Sequence, residues 1–154
     1  MSSLLNCLLN KKINSPIWFM RQAGRYLPEY RKIRKKNKNF IKFCLNIKDS
    51  IAVSLQPINR FDVDAVIVFS DILLILYATG QKVEFKEKQG PILHKHNPHK
   101  FYNLTDKQFT NNLKNVYKII KNLKNNIPKE KNLIGFAGSP WTLLVYMLNQ
   151  MSPK

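Results

Sequence analysis

Three short and almost wholly apolar runs, IWFM at 17–20, AVIVF at 65–69 and LIGFA at 133–137, are separated by much longer segments with helical periodicity. Apolar runs of this length without polar alternation predict strands covered on both faces, as parallel strands are. Parallel strands need long crossover connections, and the intervening segments can supply them. From Asn46 to Arg60, the residues Ile51, Leu55 and Ile58 recur at i, i+4 and i+7, with Pro57 bending the last turn. A second stripe, Phe109, Leu113, Val116, Ile120 and Leu123, follows a capping-box pair at Thr105 and Gln108. Ser139 and Pro140 offer N-cap and first-turn chemistry for a last helix, Trp141 to about Asn149. Between Gln81 and Pro91, the alternation in KVEFK predicts a small hairpin or loop excursion.

The resulting order, β-α-β-(hairpin)-α-β-α, defines an α/β chain of the kind from which doubly wound sheets and (β/α)8 barrels are built. A complete barrel takes about 250 residues. The 154 residues available make room for one domain, but three strands predict only part of a barrel, with the barrel not closed.

Composition narrows the class. With 44% apolar and 23% charged residues the chain lies in the globular range. Cys7 and Cys44 form no CxxC pair, so neither a disulfide framework nor a cysteine metal site is expected, and a reducing cytosol is the simpler setting. The amino terminus carries its lysines after its apolar residues, the reverse of a secretory signal. The apolar stretch from Ala65 to Ala78 is shorter than the roughly 20 residues of a spanning helix, and Asp71 interrupts it. Charge is the one extreme value: 26 basic against 9 acidic residues, net +17. Such an excess points to polyanionic partners. However, 21 of those cations are lysines, and 17 asparagines and 15 isoleucines accompany them, the pattern an A+T-rich coding sequence produces without selection for binding.

Candidate chemistry gathers where the strands end. Arg21 and Arg25, with Gln22, Ala23 and Gly24 between them, follow the first run directly. The carboxyl ends of parallel strands carry ligand sites in α/β proteins, and two guanidiniums there can clamp carboxylates or phosphates through forked hydrogen bonds. Spacing alone equally allows an arginine pair on a surface loop. Ser70 and Asp71 follow the second run, a position suited to a catalytic carboxylate but also to an N-cap for the ILLILYA segment. Gly138, Ser139 and Pro140 make the turn after the third run, and Tyr146 lies about two helical turns further on, either facing a polar cavity or satisfied in the core. His94, His96 and His99 sit in a Pro- and Lys-rich loop without a neighbouring carboxylate, so no metal is expected there. The run from Arg31 to Lys42 reads as a solvated basic face.

Taken together, PIWFMRQAGRYLPEYR, LQPINRFDVDAVIVFSDIL and LIGFAGSPWTLLVYM resemble, in order, three blocks of the uroporphyrinogen decarboxylase family, from about Pro16 to Met147. The resemblance implies a TIM barrel, usually homodimeric, of which residues 1–154 would be the amino-terminal part of a single decarboxylase domain. It implies a cofactor-independent carboxy-lyase of haem biosynthesis, converting uroporphyrinogen III into coproporphyrinogen III by removing four acetate carboxylates. It further implies that Arg21 and Arg25 bind substrate carboxylates, with one of them assisting proton transfer, and that Asp71 faces the pyrrole N–H groups. Tyr146 would hydrogen-bond near a reacting acetate, while Gln22 and the Gly138 backbone shape the pocket.

The chain also departs from the pattern. Members are more than twice this length, and a serine and a histidine of the distal barrel have no counterpart here. Leu76 stands for a usual proline, Asn59 for a common arginine, and Asn149-Gln150 for an expected Glu-Gly, where the resemblance is expected to end. The expectation is a truncated enzyme with little activity alone, with a second copy or a complementing carboxyl-terminal fragment as partner and neither nucleic acid nor membrane. The rival reading is a non-catalytic basic remnant binding RNA or another anionic partner. A corrinoid-linked methyltransferase is a more distant alternative, because such relatives are not expected to keep RQAGRYLPEY.

Overall fold

The computed structural model describes residues 3–11, 15–18, 25–86 and 89–151. Four helices, α1 (Ser3–Leu8), α2 (Pro28–Lys36), α3 (Phe40–Leu45) and α4 (Ile47–Arg60), precede strand β1 (Ala65–Ile67) and the short helix α5 (Leu74–Ala78). The hairpin β2 (Val83–Lys86) and β3 (Gly90–Leu93) comes next, then α6 (Pro98–Tyr102), α7 (Asp106–Asn112), α8 (Lys114–Asn126), β4 (Asn132–Ile134) and α9 (Pro140–Asn149). Among the described residues no helix is long and apolar enough to cross a membrane.

β1 and β4 pair in parallel, Ala65 opposite Asn132 and Ile67 opposite Ile134, so the second and third apolar runs are neighbours joined by a helical crossover. Both strands are shorter than their apolar runs. The ladder continues one step, with the Val68 amide donating to the Ile134 carbonyl at 3.0 Å. The next amide, that of Phe69, faces away from β4 and donates to the Ser54 hydroxyl of α4 at 2.8 Å. Of the first run, Ile17 and Trp18 are not in a strand, while Phe19 and Met20 lie outside the described residues. Ile17 nevertheless meets the start of β1: its carbonyl accepts from the Asp64 amide at 2.8 Å, and its amide donates to the Asp64 carboxylate at 2.7 Å.

Helix α4 is covered on two sides, which explains why its fully buried positions are Ser50, Val53, Ser54 and Pro57 rather than the predicted stripe. Val53 enters the main core beside Phe43, Phe69 and Leu73, whereas Ile51 and Leu55 pack with Ile119 and Leu123 of α8. The two buried serines satisfy themselves locally. Ser50 Oγ donates to the Phe43 and Cys44 carbonyls at 3.0 Å each, and Ser54 Oγ to the Ser50 carbonyl at 2.7 Å.

The capping box at Thr105 and Gln108 forms as predicted, but the helix behind it is interrupted at Leu113, separating α7 from α8. Leu113, Val116 and Leu123 are covered as the stripe predicts, but Ile119 is buried in place of Ile120, which is 37% exposed. The predicted hairpin is present and antiparallel, with Val83 opposite Leu93.

At the end of α9, whose Ser139 cap accepts from the Thr142 amide, Gln150 takes the left-handed conformation at φ 60°. Its carbonyl then accepts from the Leu93 amide at 2.8 Å, and Met151 bridges to Ile92, fastening the chain end to the hairpin. A side chain is disfavoured at positive φ, where glycine is the usual choice. Gln150→Gly is therefore expected to raise stability by about 0.5–1 kcal/mol, read as a higher urea midpoint at unchanged slope.

Candidate active site

The parallel pairing of β1 and β4 sends the segments that follow them, 68–73 and 135–139, to the same end of the sheet. Gly138 shows how closely these loops meet. A Cβ added there would lie 2.8 Å from Leu143 Cδ2 and 3.2 Å from Ile72 Cβ, so the residue beside Asp71 touches the turn that starts α9. The small residue is needed for this approach, whatever else its backbone does.

Asp71 is half-buried at this end. Its Oδ1 accepts from the Leu73 amide at 2.9 Å and its carbonyl from the Leu74 amide at 3.2 Å, so it forms the turn that launches α5. The capping alternative is thus realised one step removed, since Leu73 is the N-cap itself. Burial pushes the Asp71 carboxyl above its ordinary 3.8, while the Leu73 hydrogen bond and the positive charge of Arg25 pull it back. This brings Arg25 and Asp71 within electrostatic reach of each other. Arg25 itself is exposed, in the turn before α2, and its carbonyl accepts from Arg31 Nε at 3.4 Å.

Tyr146, on α9, is half-buried and packs against the main core. Arg21 and Gln22 lie outside the described residues. The structure therefore brings the loop of Gly138 against that of Asp71, while Arg25 acts on Asp71 through its charge without a hydrogen bond or ion pair between them among the described contacts. Two further side chains at this end carried no separable signal in the sequence. Tyr30 is buried with its ring 6.1 Å from that of Phe69 in an edge arrangement, its phenol pushed up by burial and drawn down by Arg25 and Arg34. Cys44 is buried, free and raised, first by desolvation and then by the charge of Asp71. Only the tertiary fold brings Tyr30 within reach of the Arg25 charge and Cys44 within reach of that of Asp71.

The histidines go elsewhere. His94 Nε2 lies 3.5 Å from Glu84 Oε2, and His96 meets the Phe101 ring edge-on. Among the described residues no three His, Cys, Asp or Glu side chains group to hold a metal ion. A concavity of about 490 Å³ lined by Lys124, Lys129, Lys131 and Asn132 opens at the amino end of β4, opposite the Asp71 end.

An α/β chain that sets a half-buried carboxylate just beyond the carboxyl end of a parallel strand has the ligand-site layout of α/β enzymes. The family follows from comparison: the model of the uroporphyrinogen decarboxylase family matches residues 2–154, and the chain belongs to that family. It is 50% identical over 148 residues to the uroporphyrinogen decarboxylase of Rickettsia canadensis, covering 96% of this chain and 44% of that protein. With the Rickettsia felis protein the identity is 49%, over 96% of this chain and 43% of the relative. The chain thus spans less than half the length of these relatives. The family match runs through Asn149 and Gln150, where the resemblance was expected to end.

Because its folded pKa is raised, ionised Asp71 lowers stability above that pKa, and the penalty vanishes below the ordinary 3.8. Asp71→Asn keeps an oxygen for the Leu73 amide. It is expected to raise the melting temperature at pH 7, with the gain disappearing as the pH falls to 3, as calorimetry across that range would show.

Proposed function

We propose that the chain is the first part of a (β/α)8 barrel and supplies the substrate-clamping part of a uroporphyrinogen decarboxylase site. The observation that carries this reading is a half-buried Asp71 beyond the carboxyl end of β1, its Oδ1 held by the Leu73 amide, in a member of that family. The substrate would be uroporphyrinogen III, whose eight carboxylates call for cations. Arg21 and Arg25 would hold them, Gln22 and the Gly138 backbone would shape the pocket, and Tyr146 would bond near the reacting acetate.

In this reading a proton is added to a pyrrole α-carbon, giving a cationic ring. The bond from the acetate CH2 to its carboxylate then breaks, carbon dioxide leaves, and the electron pair flows into the ring. The resulting exocyclic methylene takes a proton to become the methyl group, and the α-carbon loses its own, so each arm consumes one proton net. Asp71, facing the pyrrole N–H groups, would stabilise the cationic state, and a fixed charge in a water-poor cavity does this far better than one in water. Arg25 would help keep the carboxylate ionised against the burial that favours its neutral form. No cofactor enters these steps. Cytoplasmic location and homodimeric assembly belong to the same reading.

The test is co-expression with the segment of the Rickettsia canadensis relative that follows the matched residues, with coproporphyrinogen formation as the readout. Activity is expected only from the pair, and Asp71→Asn is expected to lower kcat by about 10²–10³-fold. Wild-type turnover by the Asp71→Asn pair, or robust turnover by this chain alone, would overturn the proposal.

A further inference from the structure

Helix α1 contains no buried residue, Ile17 is 53% exposed, and neither core cluster includes a described residue from 3–18. The segment is attached to the sheet by polar bonds instead, made at Asp64, just before β1. Each oxygen of the Asp64 carboxylate takes a donor: Ser3 Oγ on Oδ1, and the Ile17 amide on Oδ2 at 2.7 Å. The Asp64 amide donates to the Ile17 carbonyl at 2.8 Å, and the Asp64 carbonyl accepts from the Asn132 amide of β4 at 3.0 Å. Ile17 is thus gripped by the backbone and the side chain of one residue, itself fastened to the parallel pair. The Ser3 bond and then the Ile17 bond hold the Asp64 carboxyl below its ordinary 3.8. It is therefore ionised at neutral pH, and both bonds are charge-assisted. Lys131 does not compete for these oxygens, because its ammonium lies 2.7 Å from Asp62 Oδ1.

Ile17 is held at the amino end of β1, whereas Arg25 acts by its charge on Asp71, beyond the carboxyl end. Eight positions separate Ile17 from Arg25, and seven separate Asp64 from Asp71. A chain covers at most about 3.3–3.6 Å per residue. A tether only one residue longer than the stretch whose ends it joins has little slack, so the point at which Ile17 is held limits where Arg21 and Arg25 can stand. We infer that Asp64 is a positioning residue for the arginine loop: by holding Ser3 and Ile17 at the start of β1, its carboxylate sets the reach of Arg21 and Arg25 toward Asp71 and toward the carboxylates of a substrate bound there. The role of the arginines in this inference rests on the site reading above. Asp64 itself acts from the opposite end of the strand. A carboxylate that served only to fasten the chain end would leave the influence of Arg25 on Asp71 unchanged when removed.

The experiment reads the titration midpoint of Asp71 in the full chain by carboxyl-carbon NMR, with and without Arg25→Gln. In the wild-type chain Arg25→Gln is expected to raise that midpoint, because a charge that favours the carboxylate is removed. In Asp64→Asn, which keeps the size of the side chain but offers one oxygen where two are used, the rise is expected to fall to less than half. Ile17→Pro removes the amide donor, leaves the Asp64 charge in place and changes an exposed side chain; it is expected to shrink the rise in the same way. Asp62→Asn removes a neighbouring carboxylate that meets Lys131 instead, and should leave the rise at its wild-type size. No rise in the wild-type chain, an undiminished rise in either Asp64→Asn or Ile17→Pro, or an equal reduction in Asp62→Asn would overturn the inference. The measurement needs no turnover. A diminished rise in a chain that makes no coproporphyrinogen with the later segment of the Rickettsia canadensis relative would support the positioning role and refute the proposed activity, whereas an undiminished rise in an active pair would do the reverse.

Discussion

Parallel pairing of β1 with β4 is the constraint from which the site geometry follows. Antiparallel neighbours would send the segments after each strand to opposite ends. In parallel register, Asp71 and Gly138 must arrive at one end, and a crossover must carry the chain back. α8 lies in that crossover, and packing against α4 through Ile119, Leu123, Ile51 and Leu55 is how its return is stabilised. On the side away from β4, the Ser54 hydroxyl of the covering helix accepts from the Phe69 amide. Phe69 is buried in the core, and Ser70 and Asp71 follow it to the rim.

At that rim, stability and chemistry pull in different directions. A carboxylate whose pKa is raised by burial is a group the fold holds at some loss of stability, and the Leu73 amide and Arg25 only partly offset it. The same surroundings make its charge effective, because field strength rises as water is excluded. Gly138 shows a parallel compromise: a side chain there would push apart the loops that must touch.

What the sequence made legible was mostly local. The Thr105–Gln108 box and the Ser139 cap rest on groups three residues apart, and both form as read. Strand extent was less legible, because Phe69 has a strand-like side chain but spends its amide on a residue 15 positions earlier. The exchange of Ile119 for Ile120 has a similar origin. Periodicity read through Leu113 assumes one continuous helix, whereas the helix is interrupted there, and beyond it Val116 and Leu123 keep their places while Ile119 replaces Ile120. The site was half legible in the same sense. Asp71 stood out from its place after an apolar run, whereas Cys44, whose thiol is acted on by the Asp71 charge, is brought toward it only through folding. Arg21 and Gln22 rest on resemblance, outside the described residues.

The net charge is a poor guide to where cations matter, and the contrast between arginine and lysine is a better one. Of 26 basic residues only 5 are arginines. The described ones have defined partners. Arg60 Nη1 meets both oxygens of Glu29, at 3.0 and 3.1 Å, Arg34 stacks 5.7 Å over the Phe40 ring while donating to the Asn37 and Lys38 carbonyls, and Arg31 braces the Arg25 carbonyl. Even Lys131, in the basic concavity, is engaged with Asp62 at 2.7 Å. A drift toward lysine codons adds flexible, hydrated ammonium groups, which a surface tolerates. It cannot replace a planar, forked guanidinium at a site that must hold carboxylates in a fixed orientation. Amid a lysine-rich surface, the cation whose charge acts on the Asp71 carboxyl is an arginine, Arg25.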